Sequence, residues 1–408
     1  MKLRVFHLRI PGQWNDGWLY KEHLILWSRS GQMFVTELAE LLEKAHTQLT
    51  PALSVAADYA IFRNDWKSSE QVNRLIEVAD VRQAFFKDFP DSGAPLIMEI
   101  ESLEMRPSQS DPVPGFILDV SLYADHIFTG TSEGLFESRF DAKSPQARRP
   151  VVQWLEKEVS AVNAKNSIVN SSAGEQGLLF SEVNFQDLNW WSERPSFRQT
   201  AEISYYNSFV TYHVLNYADK AFPAFLRAET ESRVGRTGSS DYQESRVVAY
   251  HDQADISFIA GAAIDGSRRV KLSESHSLKS NVEAEPAGRV LGNSVNRLLV
   301  HWGNALRVVD ISAQKGKDIA ARPDPKYGAI GEADIRPSSV LRTYAIESGF
   351  LVELFDEIRL MTPHGSYLVA KEQAARIRTF PYSRRYQDMA LVVGEDNVTL
   401  IGFIESLD

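Results

Sequence analysis

Nine histidines punctuate the chain: His7, His23, His46, His126, His213, His251, His276, His301 and His364. Histidine serves both metal ligation and acid-base work near neutral pH, so their spacing is the first thing to read. None falls in an HxH, HxxxH or HExxH arrangement, and there is no cysteine, which removes thiolate metal sites, cysteine nucleophiles and a disulfide framework together. The His251-Asp252 pair in AYHDQAD matches a dipeptide of metal-dependent phosphohydrolases, but those place it on a helix and here it precedes a strand pattern. The small residues of GRTGSS, from Gly235, suit an anion nest, yet they lack the lysine and the strand-then-helix setting of a phosphate loop. No GxSxG elbow and no GxGxxG fingerprint is present. No metal and no cofactor is expected.

Two other stretches carry recognition chemistry. ARIRTFPYSRRY sets Arg376, Arg378, Arg384 and Arg385 among Phe380, Tyr382 and Tyr386 in a chain whose net charge is -10. Guanidinium forks bind phosphates and aromatic rings stack on bases, so this composition suits nucleic acid or a nucleotide. The plainer reading is an outer strand and turn with arginines solvated or paired to Glu372 and Glu395. The second stretch, NFQDLNWWSERPSF, places Trp190 and Trp191 side by side in a segment too polar for a core strand. Neighbours on a strand face opposite ways, so at least one indole is expected to meet solvent, an insertion or a partner. Tryptophan is enriched at binding hot spots, which makes this pair the expected partner-binding surface.

What elements would position these residues? DHIFTGTSEGLFESRF, from Asp125, reads as a strand, a glycine turn and a strand. The same plan returns in EHLILWSRSGQMFVTE from Glu22, NRLLVHWGNALRVVDI from Asn296, DEIRLMTPHGSYLVAK from Asp356 and DMALVVGEDNVTLIGF from Asp388, and more loosely from Ala254. A lone hairpin cannot bury its apolar face, whereas stacked small sheets can. GFILDVSLYADHIFTGTSEGLFESRFD resembles the first three strands of a β-propeller blade. A parallel reading fits SGFLVELFDEIRLMTPHGSYLVAK with ARIRTF as its fourth strand. No WD dipeptide or kelch double glycine occurs, so the resemblance is to an architecture and not to a named repeat family.

That resemblance implies a mainly β fold, a single irregular propeller of about five to seven blades over residues 1–408. It also implies ring closure by pairing the two ends of the chain: LRVFHLRI is a spare strand at the start and ALVVGEDNVTLIGFI an unpartnered hairpin at the finish. The polar aromatic run with Tyr205, Tyr206, Phe209 and Tyr212 is expected to form a further, degenerate blade. Helical insertions are expected at about 36–90 and 144–168. Leu38, Leu41, Leu42 and Ala45, then Val72, Leu75, Ile76 and Ala79, recur at helical spacing, and Pro150 suits a first turn ahead of Val152, Leu155 and Val159.

Composition sets the outer limits. At 408 residues, 43% hydrophobic and 11% aromatic, the chain can bury a large core. The alternating N-terminus reads as a strand pattern and not as the unbroken apolar run of a signal peptide, and no stretch of about 18 uncharged apolar residues suggests a membrane span. The expected setting is cytoplasmic, and the expected role is a non-enzymatic scaffold or sensor subunit that binds another protein. Two alternatives stand beside it: nucleic-acid binding through the arginine patch, and a hydrolase or lyase whose acids and histidines gather at the propeller channel.

Overall fold

The computed structural model describes residues 2–67, 70–87, 89, 94–100, 105–107, 112–143, 146–165, 168–172, the strands between 178 and 331, and 327, 335, 339–381, 383 and 385–406. Its contacts divide into two units: Met1–Pro112, Asp141–Ala147 and Glu332–Asp408, and Val113–Phe140 with Arg148–Gly331.

In the first unit β1 (Lys2–Pro11) begins the chain and β34 (Asn397–Ser406) ends it. They pair antiparallel from Lys2↔Ser406 to Pro11↔Asn397, so the two chain ends share one sheet as expected. Both faces of β1 carry buried apolar residues, which is why its apolar positions fall on both parities of the strand: Leu3 and Val5 enter one core cluster, Phe6, Leu8 and Ile10 another. Each such side chain contributes roughly 1.5–3 kcal/mol on burial.

The sheets are blades of β-propeller type, successive strands pairing as antiparallel meanders. In the first unit β2 (Trp14–Tyr20), β3 (His23–Ser28) and β4 (Met33–Glu37) are completed by β6 (Arg106–Pro107), which follows β5 (Leu96–Glu99). In the second unit β7 (Ile117–Tyr123), β8 (His126–Thr131), β9 (Leu135–Asp141) and β10 (Gln146–Leu155) form one blade. The next comprises β11 (Ala161–Lys165), β12 (Ile168–Ser172), β13 (Leu178–Asn184) and β14 (Asn189–Glu193). A seven-stranded sheet follows from β15 (Gln199–Tyr206) to β21 (Ser275–Ser277), then a six-stranded one from β22 (Lys279–Ser280) to β27 (Ile330–Gly331). Back in the first unit, β28 (Arg342–Ile346), β29 (Gly349–Glu353), β30 (Ile358–Thr362) and β31 (Gly365–Ala370) form another blade. The closing sheet has the order β32 (Arg376–Thr379), β33 (Met389–Val393), β34, β1, β5. Among the described residues four sheets have four strands, fewer than the about five to seven blades that the propeller resemblance implies; the other sheets have five to seven strands and are irregular.

Two expectations need correction. ARIRTF is not a fourth strand: β32 opens the closing sheet, because the alternating RTYAI of β28 takes the first position and moves every later strand along by one. The described residues between 144 and 168 are not helical either; they hold β10 and β11 and reach the start of β12. Val151 and Val152 favour a pleated strand, and Pro150 is tolerated because β10 is an edge strand beside β9.

Helices α1 (Leu38–His46), α2 (Pro51–Lys67), α3 (Glu70–Glu77) and α4 (Ala79–Phe86) are inserted between β4 and β6. Leu38, Leu41, Leu42 and Ala45 form the buried stripe of α1. Pro51 stands in the first turn of α2, where its missing N–H costs nothing, and the Thr50 hydroxyl accepts from Leu53 N at 3.4 Å. Ala56, Ala57 and Ala60 let α2 lie close over β34: a Cβ added to Gly402 would stand 2.8 Å from Ala60 Cβ.

Candidate functional site

The arginine patch begins on β32, where Arg376 and Arg378 share one face and Ile377 is buried on the other. Both arginines meet Asp16 of β2, a residue more than three hundred positions away in the chain. Asp16 follows a register irregularity after Trp14 that re-aims the strand. Its carboxylate is fully buried and accepts from Arg378 Nε at 2.9 Å, from a second Arg378 nitrogen, and from Gly17 N at 2.8 Å. Arg376 approaches the same carboxylate at 3.6 Å. Gly17 itself has no room for a side chain, since a Cβ would stand 2.8 Å from Leu26 and 2.9 Å from Leu391.

Around this pair the aromatics pack on one another instead of facing solvent. The Arg378 guanidinium lies 5.3 Å from the Trp18 ring, Trp18 meets Phe380 edge-on at 5.6 Å, and Phe380 meets Tyr386 at 6.4 Å. The Tyr386 hydroxyl donates to the Lys21 carbonyl, and Arg385 bonds Glu22 at 3.0 Å. Arg376, Arg378 and Arg385 therefore join the closing sheet to the β2–β4 blade, with partners in Asp16 and Glu22 where Glu372 and Glu395 are expected from sequence proximity. Arg384 and Tyr382 lie outside the described residues.

Among the described residues the histidines are distributed, not gathered. His7 is buried on β1, and burial first, then the Arg9 charge, lowers its pKa to about 4. His23 is pushed down chiefly by burial at the start of β3. His46 bonds Asp58 at 2.8 Å, and burial raises the Asp58 carboxyl against the pull of that histidine. His126 opens β8, bonds Glu137 of β9 and stacks on Phe128; the other Glu137 oxygen accepts from Trp154 Nε1 at 2.8 Å. Among the described residues no group of three or more His, Asp and Glu side chains is placed to hold a metal ion.

Sequence reasoning missed two classes of residue. Asp119 and Ser121, alternate positions on β7, use their side chains to accept from Val162 N at 2.6 Å and Ala164 N at 3.0 Å, stitching β7 to β11. The polar alternation inside ILDVSLY was the available signal. The other class is exposed apolar side chains at sheet ends. Phe116 is 78% exposed although its backbone is fixed at both groups, its N–H donating to Ser132 Oγ and its carbonyl accepting from Ser132 N, each at 3.0 Å. Gly115 makes this possible with φ +81°. Phe355, 70% exposed, rides the turn closed by Leu354 N to Glu357 O at 2.9 Å. Each phenylalanine adjoins the turn between the second and third strands of its own sheet.

Trp190 and Trp191 lie on β14, an edge strand, in register with Val183 and Glu182; their side chains are outside the described residues. The GRTGSS loop and Asp252 also lie outside them.

No family model matches the chain, and no curated protein matches it. Among solved structures, it is similar to the crystal structure of the Myceliophteria thermophila Cps50 (Swd1) beta-propeller domain, with TM-score 0.48 and 9% identity over 99% of this chain and 100% of that one. It is also similar to the computationally designed Ika8 protein, with TM-score 0.40 and 7% identity over 97% and 99% of the two chains.

Proposed function

We propose that this protein is a non-enzymatic interaction module, a scaffold or sensor subunit of an intracellular complex that binds another protein through its sheet ends and through Trp190 and Trp191. The observation that carries the reading is the pair of largely exposed phenylalanines, Phe116 and Phe355, set on or beside turns whose backbone is ordered by hydrogen bonds. Large exposed aromatics on an ordered backbone lower the ordering cost of contact, which suits an interface anchor. The absence of cysteine accords with a reducing compartment, and no helix among the described residues is long and apolar enough to cross a membrane. The conventional use of an arginine patch is not favoured, because Arg376, Arg378 and Arg385 are held in ion pairs.

Native purification of the tagged protein at low and high salt tests the reading. A stoichiometric polypeptide that survives high salt and is reduced at least about tenfold by the combined variant Trp190→Ala, Trp191→Ala, Phe116→Ser supports it. Nucleic acid released by salt would move the assignment to the arginine patch.

A further inference from the structure

We propose that β31 is a docking edge for an extended, uncharged segment of a partner polypeptide, an inference that rests on the interaction-module reading. The outermost strand of a sheet leaves the N–H and C=O of every second residue without a ladder partner, and what complements such a row is another extended backbone. Sheets therefore guard their edges with charge, with proline or with a further strand. The four-stranded sheets differ in this respect. β6 is Arg106–Pro107, β10 carries Arg148, Arg149 and Pro150, and β14 ends on Glu193. β31, GSYLVA, holds no charged residue and no proline; the next charge in the chain is Lys371, one position past the strand. Among the described residues no strand pairs with its outer side.

The closing sheet shows what such an edge accepts. Its fourth strand, β1, holds the place that β31 holds in its own sheet, and β5 lies on it in parallel from Phe6↔Leu96 to Arg9↔Glu99. An outer edge of this fold thus takes an added strand over four residues. The accessible part of β31 has the same length: Gly365, Ser366, Tyr367 and Leu368 are each partly exposed, while Val369 and Ala370 are buried. Tyr367 packs against the core cluster shared with the closing sheet, which holds the edge in place. Ile358 pairs with Ala370 and Arg359 with Leu368, so Val369 is a bulge that bends the strand and ends the flat edge.

Charge and length choose the occupant. Arg359, opposite Leu368, donates to Glu357 at 2.8 Å and to Ser366 Oγ at 3.3 Å, so the charge beside the edge is answered within the sheet. An uncharged segment rich in β-branched or aromatic residues fits this row. A second copy fits poorly, because two β31 edges would meet over four residues before the bulges part them, a small fraction of the roughly 1,200 Å² that a stable dimer buries. A flexible segment can follow the bend and continue past it.

The test is selection from a displayed random-peptide library on the full chain, followed by fluorescence anisotropy of the selected peptides and amide exchange of their complexes. Peptides rich in Val, Ile, Thr, Tyr or Phe and free of proline in the pairing stretch are expected to enrich, with the same affinity at low and high salt. Binding should slow exchange at the amides of β31. N-methylation of alternate residues along one edge of a selected peptide should weaken it at least about tenfold, while methylation of the intervening residues should leave it within about twofold. Leu368→Lys, a charge set on the open edge, should also weaken it at least about tenfold; if that variant does not fold, the methylated peptides and the exchange map decide. No enrichment, equal response to the two methylation patterns, or protection away from β31 would overturn the proposal. A concentration-dependent dimer that is lost in Leu368→Lys would overturn it too, by giving the edge to a second copy. A partner still captured at high salt through Trp190, Trp191 and Phe116 would then leave the interaction-module reading standing, whereas its loss from wild type would remove that reading by itself.

Discussion

Replacing His7 with leucine should flatten part of the acid sensitivity of this fold. His7 is 1% exposed and faces the apolar interior of the closing sheet on a strand flanked by Ile401 and Ile97. Burial is the main reason its pKa falls from 6.5 to about 4, the Arg9 charge adds to it, and the Val369 backbone offsets a small part. Between those two values the unfolded chain binds a proton that the folded chain refuses. Stability is therefore complete above 6.5 and is lost as pH falls toward 4. The gap spans about 2.5 pH units, worth about 3 kcal/mol in full and about 2 kcal/mol at pH 5. Urea unfolding of the wild type and His7→Leu, followed by circular dichroism at pH 7.5 and pH 5, isolates this group from the carboxylates common to both. The wild type should lose about 2 kcal/mol more than the variant between the two conditions. A difference between the proteins that stays constant within about 0.5 kcal/mol would show that His7 is not held neutral by burial.

Four further outcomes follow from the packing. Asp16→Ala removes the partner of Arg376 and Arg378 from a buried site and should cost about 3–5 kcal/mol in urea unfolding, since it strands a guanidinium without its counter-charge. Gly402→Val drives a side chain into Ala60 and should displace α2, lowering the thermal midpoint and increasing amide exchange in α1 and α2 before the strands are affected. Glu137→Ala leaves His126 and Trp154 without their shared acceptor, and should destabilise by about 1–3 kcal/mol, while Phe116→Ser at an exposed position should stay within about 0.5 kcal/mol of wild type.

Hairpins were legible because strand alternation and glycine turns are local signals, and DHIFTGTSEGLF lies across β8 and β9 as its pattern implies. The pairing of β1 with β34 was legible as an unsatisfied strand at each end. Helical spacing misled at Val152, Leu155 and Val159, because apolar residues at such intervals also fit a strand and the loop that follows it, β10 ending at Leu155 and Val159 standing before β11; the β-branched Val151 and Val152 were the better guide. In ARIRTFPYSRRY composition revealed the charges but not their partners, since Asp16 and Glu22 reach them only through the closure of the chain ends. Phe116 and Phe355 gave no sequence signal: their exposure is a property of the turns that hold them.

The native mass of the untagged protein isolated at high salt, by light scattering with quantitation of every polypeptide in the peak, tests the central claim most directly. An interaction module predicts a complex larger than one chain, with a second polypeptide in fixed ratio that leaves when Trp190, Trp191 and Phe116 are replaced. A single unaccompanied chain carrying a turnover activity would contradict it.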